Sequence, residues 1–166
     1  MSHEENRHMA FICSKGNLDM AYPALIMGWA ALGNGVDVTI FFTFWGLDII
    51  RKKYMDKLQL PPVGVAGMRT GMMGVPFDVG IPQIMGVLPG MTAVATALMR
   101  KKMAELEVPP VSEFLQMLQD AGARLYACKM TVDMMGLTRE DFMDGVEIVT
   151  AGDFIDMTEG AQIVFI

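Results

Sequence analysis

Apolar residues along the chain fall into short continuous runs separated by stretches of three- and four-residue periodicity, which predicts strands alternating with helices. Met9-Ala-Phe-Ile-Cys13 is apolar throughout and reads as a first strand buried on both faces. Ser14-Lys15-Gly16-Asn17 is a turn with helix-start chemistry. Leu18, Tyr22, Leu25, Ile26, Trp29 and Leu32 then recur on one helical face. Pro23 suits only the first turn of that helix, and Gly33-Asn34-Gly35 ends it. Val36–Phe42, β-branched and aromatic, is a second strand. The aromatic cluster Phe41-Phe42-Thr43-Phe44-Trp45-Gly46 closes it, and Leu47–Lys57 follows with helical character and a solvated basic face, Arg51-Lys52-Lys53.

Residues 61–103 interrupt the alternation. They are rich in Gly, Pro and Met, and between Gly71 and Met99 only Asp78 is charged. Val79–Met99 has the length of a bilayer span, but Pro82, Pro89, Gly80, Gly86 and Gly90 would break such a helix, and Gln83 is polar. The stretch reads instead as an insertion in a single domain, 1–166, ending in an amphipathic helix at about Met91–Met103. Met68, Met72, Met73, Met85, Met91, Met99 and Met103 cluster here. Methionine suits adaptable contact surfaces, so segment 68–103 is expected against another subunit of a homo-oligomer, or at the periphery of a membrane. Thioethers also suit copper(I), but these spacings form no motif.

Val108-Pro109-Pro110 punctuates the chain. Ser112 is the expected N-cap of a helix carrying Phe114, Met117, Leu118 and Ala121 on one face up to Gly122. Arg124–Cys128 is the third strand. Thr138-Arg139-Glu140-Asp141 has the capping-box pattern, with Asp where Glu is commoner, and opens a short helix ending near Gly145. Val146–Thr150, Asp153–Gly160 and Gln162–Ile166 read as strand, helix and strand. The alternation implies βαβ units and a parallel sheet.

Composition narrows the chemistry. A chain of 166 residues suits one domain, and a net charge of -6 argues against nucleic acid as a partner. Two cysteines and two histidines, His3 and His8, are too few for a structural zinc or a disulfide framework. The opening residues are polar and Met9–Cys13 is too short for a signal h-region, so a cytoplasmic protein is expected. P-loop, dinucleotide-binding, nucleophile-elbow and H-E-x-x-H motifs are absent, and no cofactor is expected.

Cys128 ends its strand where α/β sheets gather their chemistry, with the cation Lys129 beside it, a setting that favours the thiolate. The competing reading is a packed hydrophobe, since free cysteines are commonly buried. A Cys–His dyad would need His3 or His8 to fold back over the site. Asp133 could accept a proton, but aspartate there more often serves a turn or helix start. A thiol without a general base suits sulfur exchange better than acyl hydrolysis.

The segment A-C-K-M-T-V-D-M-M-G-L followed by T-R-E-D-F-M-D-G-V-E-I resembles the cysteine-centred core of the DsrE/DsrF-like (TusD-like) sulfur-relay family, and F-F-T-F-W-G-L at Phe41–Leu47 with the closing Q-I-V-F-I is similar to its stand-alone, methionine-rich branch. The resemblance covers nearly the whole chain. It implies a three-layer α/β/α fold on a mostly parallel five-stranded sheet, with the cysteine strand third in order beside the second. It also implies sulfur relayed as a cysteine persulfide, with Cys128 as acceptor and donor, and sulfur donor and acceptor proteins as partners. On that footing Lys129 and the backbone after Cys128 stabilise the anion, Thr131 and Asp133 support it, and Ser14, Thr43 and Trp45 line the same sheet edge. With the second strand between them, Cys13 and Cys128 lie about 10 Å apart, too far for a disulfide. Cys13 then acts only after movement, or is a packed thiol.

Two rival functions remain at this level. One is a non-catalytic binding or assembly module with a structural Cys128, docking a membrane or redox partner. The other is a thiol peroxidase passing through a sulfenic acid.

Overall fold

The computed structural model describes residues 7–61, 69, 76–77 and 79–166. Met68, Met72 and Met73 of the methionine-rich stretch, and His3, lie outside them. The chain forms two compact units, Met1–Leu58 with Pro110–Ile166, and Gln59–Pro109.

The first unit is built on five strands: β1 (His8–Cys13), β2 (Asp37–Phe42), β3 (Arg124–Cys128), β4 (Glu147–Val149) and β5 (Gln162–Phe165). Their spatial order is β4-β3-β2-β1-β5, and every neighbouring pair is parallel. β1, β2 and β3 are nearly apolar throughout, as central strands of a parallel sheet are, whereas the edge strand β5 leaves Ile163 and Phe165 exposed. Helix α1 (Leu18–Gly33) connects β1 to β2, and α3 (Val111–Asp120) precedes β3. These two pack on one face, where a Cβ at Gly28 would meet Val38, Ile40 and Leu118 at ordinary contact distance. The chain moves one way across the sheet from β1 to β4 and then reverses to β5. A right-handed crossover puts the connecting helix of a reversed step on the other face. That helix is α5 (Ala151–Met157), whose Phe154 stacks on Phe41 with ring centroids 4.5 Å apart. The result is an α/β/α arrangement on a five-stranded parallel sheet.

Thr150 anchors α5. Its hydroxyl accepts from the Asp153 N–H at 3.1 Å, while the Asp153 carboxylate accepts from the Thr150 N–H at 3.1 Å. Thr150→Ala removes half of this box and is expected to lower Tm by about 3 °C in a thermal melt. An unchanged melt would show that the Phe154–Phe41 stack alone seats the helix.

Several sequence expectations are corrected. Leu47–Lys57 is not a helix: a 3-10 turn covers Phe44–Ile49, and irregular turns follow. The groups a helix would use are taken by another segment, since the Lys52 N–H donates to the Asp141 carbonyl and the Met143 N–H to the Ile50 carbonyl, both at 3.0 Å. The same pairing, an Arg51–Phe142 bridge, stops the Thr138 capping-box helix after Arg139–Asp141, well before Gly145. Pro110, not Ser112, is the N-cap of α3, and the Ser112 N–H is capped from outside by Asp56 at 3.0 Å. Pro23 lies beyond the first turn of α1, with its ring exposed; Ile26 and Trp29 are exposed too, while Leu18, Tyr22 and Leu25 of the expected face are buried together with Ala21, Ala24 and Gly28.

In the second unit, a 3-10 turn at Gln83–Val87 precedes α2 (Met91–Glu105). The break falls at Gly90, which is left-handed at φ +88°. Only Ala95 and Thr96 of α2 are buried within the single chain. The Thr96 hydroxyl accepts from the Leu60 N–H at 2.9 Å. Among the described residues, no helix is long and apolar enough to cross a membrane.

Candidate functional site

Strand register decides which side chains share the site. Cys13 pairs with Phe42, and Phe42 with Ala127, so the next row along the sheet is Ser14, Thr43 and Cys128. Side chains alternate between faces along a strand. This row therefore points to the α5 face, and Cys13, one residue back, points to the α1 and α3 face. Cys128 packs in a cluster with Ala10, Phe41, Tyr126 and Phe154. It is 4% exposed.

Helix α4 (Lys129–Met134) starts directly on the cysteine, which occupies its N-cap position. The chain turns from extended to helical here, so the first amides of the helix have no carbonyl partner within it. The Cys128 side chain makes no capping hydrogen bond as a thiol. Its ionisation is nonetheless shifted. Burial pushes the pKa up, but the Thr131 amide, the Thr131 and Thr43 hydroxyls and the Met130 amide together outweigh it and leave the thiol more acidic than usual.

The hydroxyls belong to one network. Thr43 Oγ1 and Thr131 Oγ1 are 3.2 Å apart, and the Phe44 N–H donates to Thr131 Oγ1 at 3.3 Å. Thr131 is completely buried. The Ser14 hydroxyl donates instead to the Ile166 carbonyl at 3.0 Å, tying β1 to the last residue. Trp45 is 67% exposed at this edge, and its backbone crosses over Gly16, where a Cβ would lie 2.3 Å from the Trp45 carbonyl oxygen. Lys129 pairs with Asp133, its Nζ 2.6 Å from Asp133 Oδ1 in an exposed pair one helical turn apart. The groups that stabilise a Cys128 anion are thus amides and hydroxyls, and Lys129 and Asp133 neutralise one another.

His8 stands at the far end of the sheet, its Nε2 2.9 Å from Thr39 Oγ1. By register it is six residue steps from the Cys128 row, about 20 Å. Thr43 and Thr131 were both legible as polar residues beside the cysteine. Phe44 and Gly46 were read only as members of the aromatic cluster that closes β2, with no part of their own.

Cys13 behaves oppositely to Cys128. It is 1% exposed, and burial pushes its pKa from an ordinary 9.0 to about 12. The folded protein holds this proton more tightly than the unfolded chain, so its contribution to stability is full below pH 9 and declines as pH rises from 9 towards 12. A thiol reagent at pH 8–9 is expected to label Cys128 alone, with Cys13 labelled only after denaturation. Equal labelling of both in the native state would contradict this burial.

A sequence profile of the DsrE/DsrF/DrsH-like family matches residues 5–166. The chain is 36% identical over 159 residues to a protein of Allochromatium vinosum named sulfur carrier protein DsrE2, covering 96% of this chain and 97% of that one. It is 26% identical over 164 residues to the uncharacterized protein YrkE of Bacillus subtilis, covering 98% and 99%. Among solved structures, MTH1491 from Methanobacterium thermoautotrophicum, a protein of unknown function, superposes with a TM-score of 0.57 at 12% identity, covering 96% of this chain and 99% of that one. The last likeness concerns the fold alone.

Proposed function

The chain belongs to the DsrE/DsrF/DrsH-like family, and from that premise we propose that Cys128 carries sulfane sulfur as a persulfide between a donor and an acceptor protein. The observation that supports this most is the set of amides and hydroxyls that favours ionised Cys128 at the strand terminus. A thiolate is the form that attacks sulfur.

The exchange needs no outside oxidant. The Cys128 thiolate attacks the outer sulfur of a donor persulfide, R–S–SH; the S–S bond breaks, and the donor leaves as R–S⁻. Cys128 then holds –S–SH. An acceptor thiolate, R′–S⁻, attacks that outer sulfur in turn, giving R′–S–SH and restoring the Cys128 thiolate. Since Cys128 is 4% exposed, both partners must reach it at the rim that carries Phe44, Trp45, Lys129 and Met130, all exposed. The relay belongs in the cytoplasm, where thiols stay reduced. The domain 1–166 acts as one carrier, with its 61–103 insertion covered by a second copy. Exposed Phe77, Ile84, Val87 and Leu88 support that covering and leave peripheral membrane contact as the other outcome of a sedimentation and liposome-flotation test.

The test of the relay is peptide mass spectrometry after incubation with glutathione persulfide. A gain of one sulfur, about 32 Da, is expected on the peptide containing Cys128 and not on that containing Cys13. No gain on Cys128 overturns the proposal. The burial of Cys128 supports a second reading, an assembly module with a structural cysteine. Complete resistance of native Cys128 to alkylation would favour it.

A further inference from the structure

β5 is an edge of the sheet, and among the described residues no strand lies outside it. Its inner side is taken by β1: the Ile166 N–H donates to the Ile12 carbonyl at 2.8 Å, and the Ile166 carbonyl accepts from the Ser14 N–H at 2.9 Å. In a parallel strand the two backbone groups of one residue point to the same side, and successive residues alternate. Gln162 and Val164 therefore turn inward with Ile166, while Ile163 and Phe165 turn their N–H and C=O groups outward. The register sets Ile163 beside Ala10 and Phe165 beside Ile12, so both side chains lie on the α5 face. They are left uncovered there, Ile163 52% and Phe165 70% exposed. No residue from Gln162 to Ile166 has a charged side chain, although a charge, a proline or a bulge commonly keeps such an edge from pairing. The opposite edge is better protected, since β4 has three residues and opens on Glu147.

We infer that β5 docks a second copy of this chain, the two β5 strands running antiparallel about a two-fold axis through Val164. The outward groups select that register. With Val164 on the axis, Ile163 faces Phe165 of the second copy and Phe165 faces its Ile163, and each pair exchanges two hydrogen bonds. An axis on Ile163 would instead set Phe165 against Ala161, whose N–H already donates to the Thr158 carbonyl at 2.9 Å. An axis on Phe165 would leave Ile163 opposite no residue of β5. The chosen register also lays isoleucine against phenylalanine twice on the same face, a favourable β-branched and aromatic cross-strand pair. The four exposed side chains then cover one another. This self-complementarity is what points to a second copy, because a foreign strand would have to bring the same apolar pair at the same spacing. The contact closes on itself and leaves that side of the sheet without a free edge. Strand pairing of this length falls below about 1,200 Å² of total buried area, so the association is reversible and depends on concentration. The two Cys128 strands lie three strand spacings from the contact in each copy, with one more between the copies, roughly 34 Å apart. Each sulfur therefore works alone.

The test is disulfide trapping of Val164→Cys with copper–phenanthroline, read by mass spectrometry of the linked peptides. Across the axis, position 164 faces itself in a pair without hydrogen bonds, with Cα atoms about 4.5 Å apart and within disulfide reach. Position 163 lies two rows from its own copy, roughly 8 Å away and out of reach. Val164→Cys is expected to give a dimer linked through position 164, and Ile163→Cys is not. In sedimentation, Phe165→Lys places a charge against the apolar pair and is expected to halve the mass that the parent reaches at high concentration. Persulfide loading of Cys128 should be unchanged in Phe165→Lys. No linkage at 164, equal linkage at 163 and 164, or a Phe165→Lys protein that sediments with the parent overturns the inference. A parent that is monomeric at every concentration also overturns it, and leaves the edge to a strand of another protein. Loading that fails in the parent as well ends the relay reading and leaves this contact standing.

Discussion

Cys128→Ser is expected to abolish persulfide loading by glutathione persulfide while the protein keeps its fold. A serine hydroxyl stays protonated and does not attack sulfur, so the loss should be complete and not partial. The substitution is mild structurally. Serine is slightly smaller than cysteine, and the Thr43 and Thr131 hydroxyls and the Met130 and Thr131 amides that surround the position offer hydrogen-bond partners for its oxygen. A buried hydroxyl with partners costs little, and Tm is expected to fall by no more than about 4 °C. Cys128→Ala gives the same loss of loading but leaves the cradle facing a methyl group, and should be the less stable variant. Cys13 cannot substitute in either, because its thiol lies on the opposite face and burial holds it protonated to about pH 12. Residual loading in Cys128→Ser at the parent level would place the sulfur elsewhere and end the relay reading. The pH dependence has a defined sign as well. Cys128 is more acidic than an ordinary cysteine, so loading is expected to persist to lower pH than for an ordinary thiol and to be lost as pH falls through the pKa of the folded protein.

The architecture was legible because the strands announce themselves. Met9–Cys13, Val36–Phe42 and Arg124–Cys128 are apolar runs bounded by turns, and they are β1, β2 and β3 within a residue or so at each end. The Thr138–Asp141 pattern also formed its capping box. Misreadings arose where distant backbone overrode local periodicity. The Leu47–Lys57 stretch has helical spacing, but residues 141–143 take its hydrogen bonds. The stripe assigned to α1 held at Leu18, Tyr22 and Leu25 but not at Ile26 and Trp29, which are exposed; alanines and a glycine, which carry a weak hydrophobic signal, fill the rest of the buried face. At the site, Ser14, Thr43 and Trp45 were expected at the sheet edge of Cys128, and the register puts Ser14, Thr43 and Cys128 in one row because parallel register follows from strand order. Lys129 was expected to stabilise the anion; it pairs with Asp133 at i+4. Phe44 could not be anticipated, because a left-handed backbone at a bulky residue is a product of tertiary packing and leaves no trace in composition.

Gly46→Ala should be the most destabilising single-methyl addition at this edge. An ideal Cβ there would lie 2.1 Å from the Cys13 carbonyl oxygen, 2.7 Å from its carbon and 3.3 Å from the Ser14 nitrogen. All three are backbone atoms. The Cys13 carbonyl cannot swing aside, because it already accepts the Thr43 N–H at 3.0 Å in the ladder between β1 and β2. The Phe44–Ile49 turn must therefore lift, and it cannot lift far, since Leu47 and Ile49 are fully buried. Forced overpacking against rigid neighbours costs about 3 kcal/mol. For a chain of this length that corresponds to a Tm lower by roughly 10 °C. Gly33→Ala is the matched control: nothing lies within 4 Å of a Cβ at that position, at the end of α1, and its Tm should stay within about 2 °C of the parent. A Gly46→Ala protein that melts with the parent would mean that the turn over β1 yields freely. In that case the left-handed Phe44 could not be held by it.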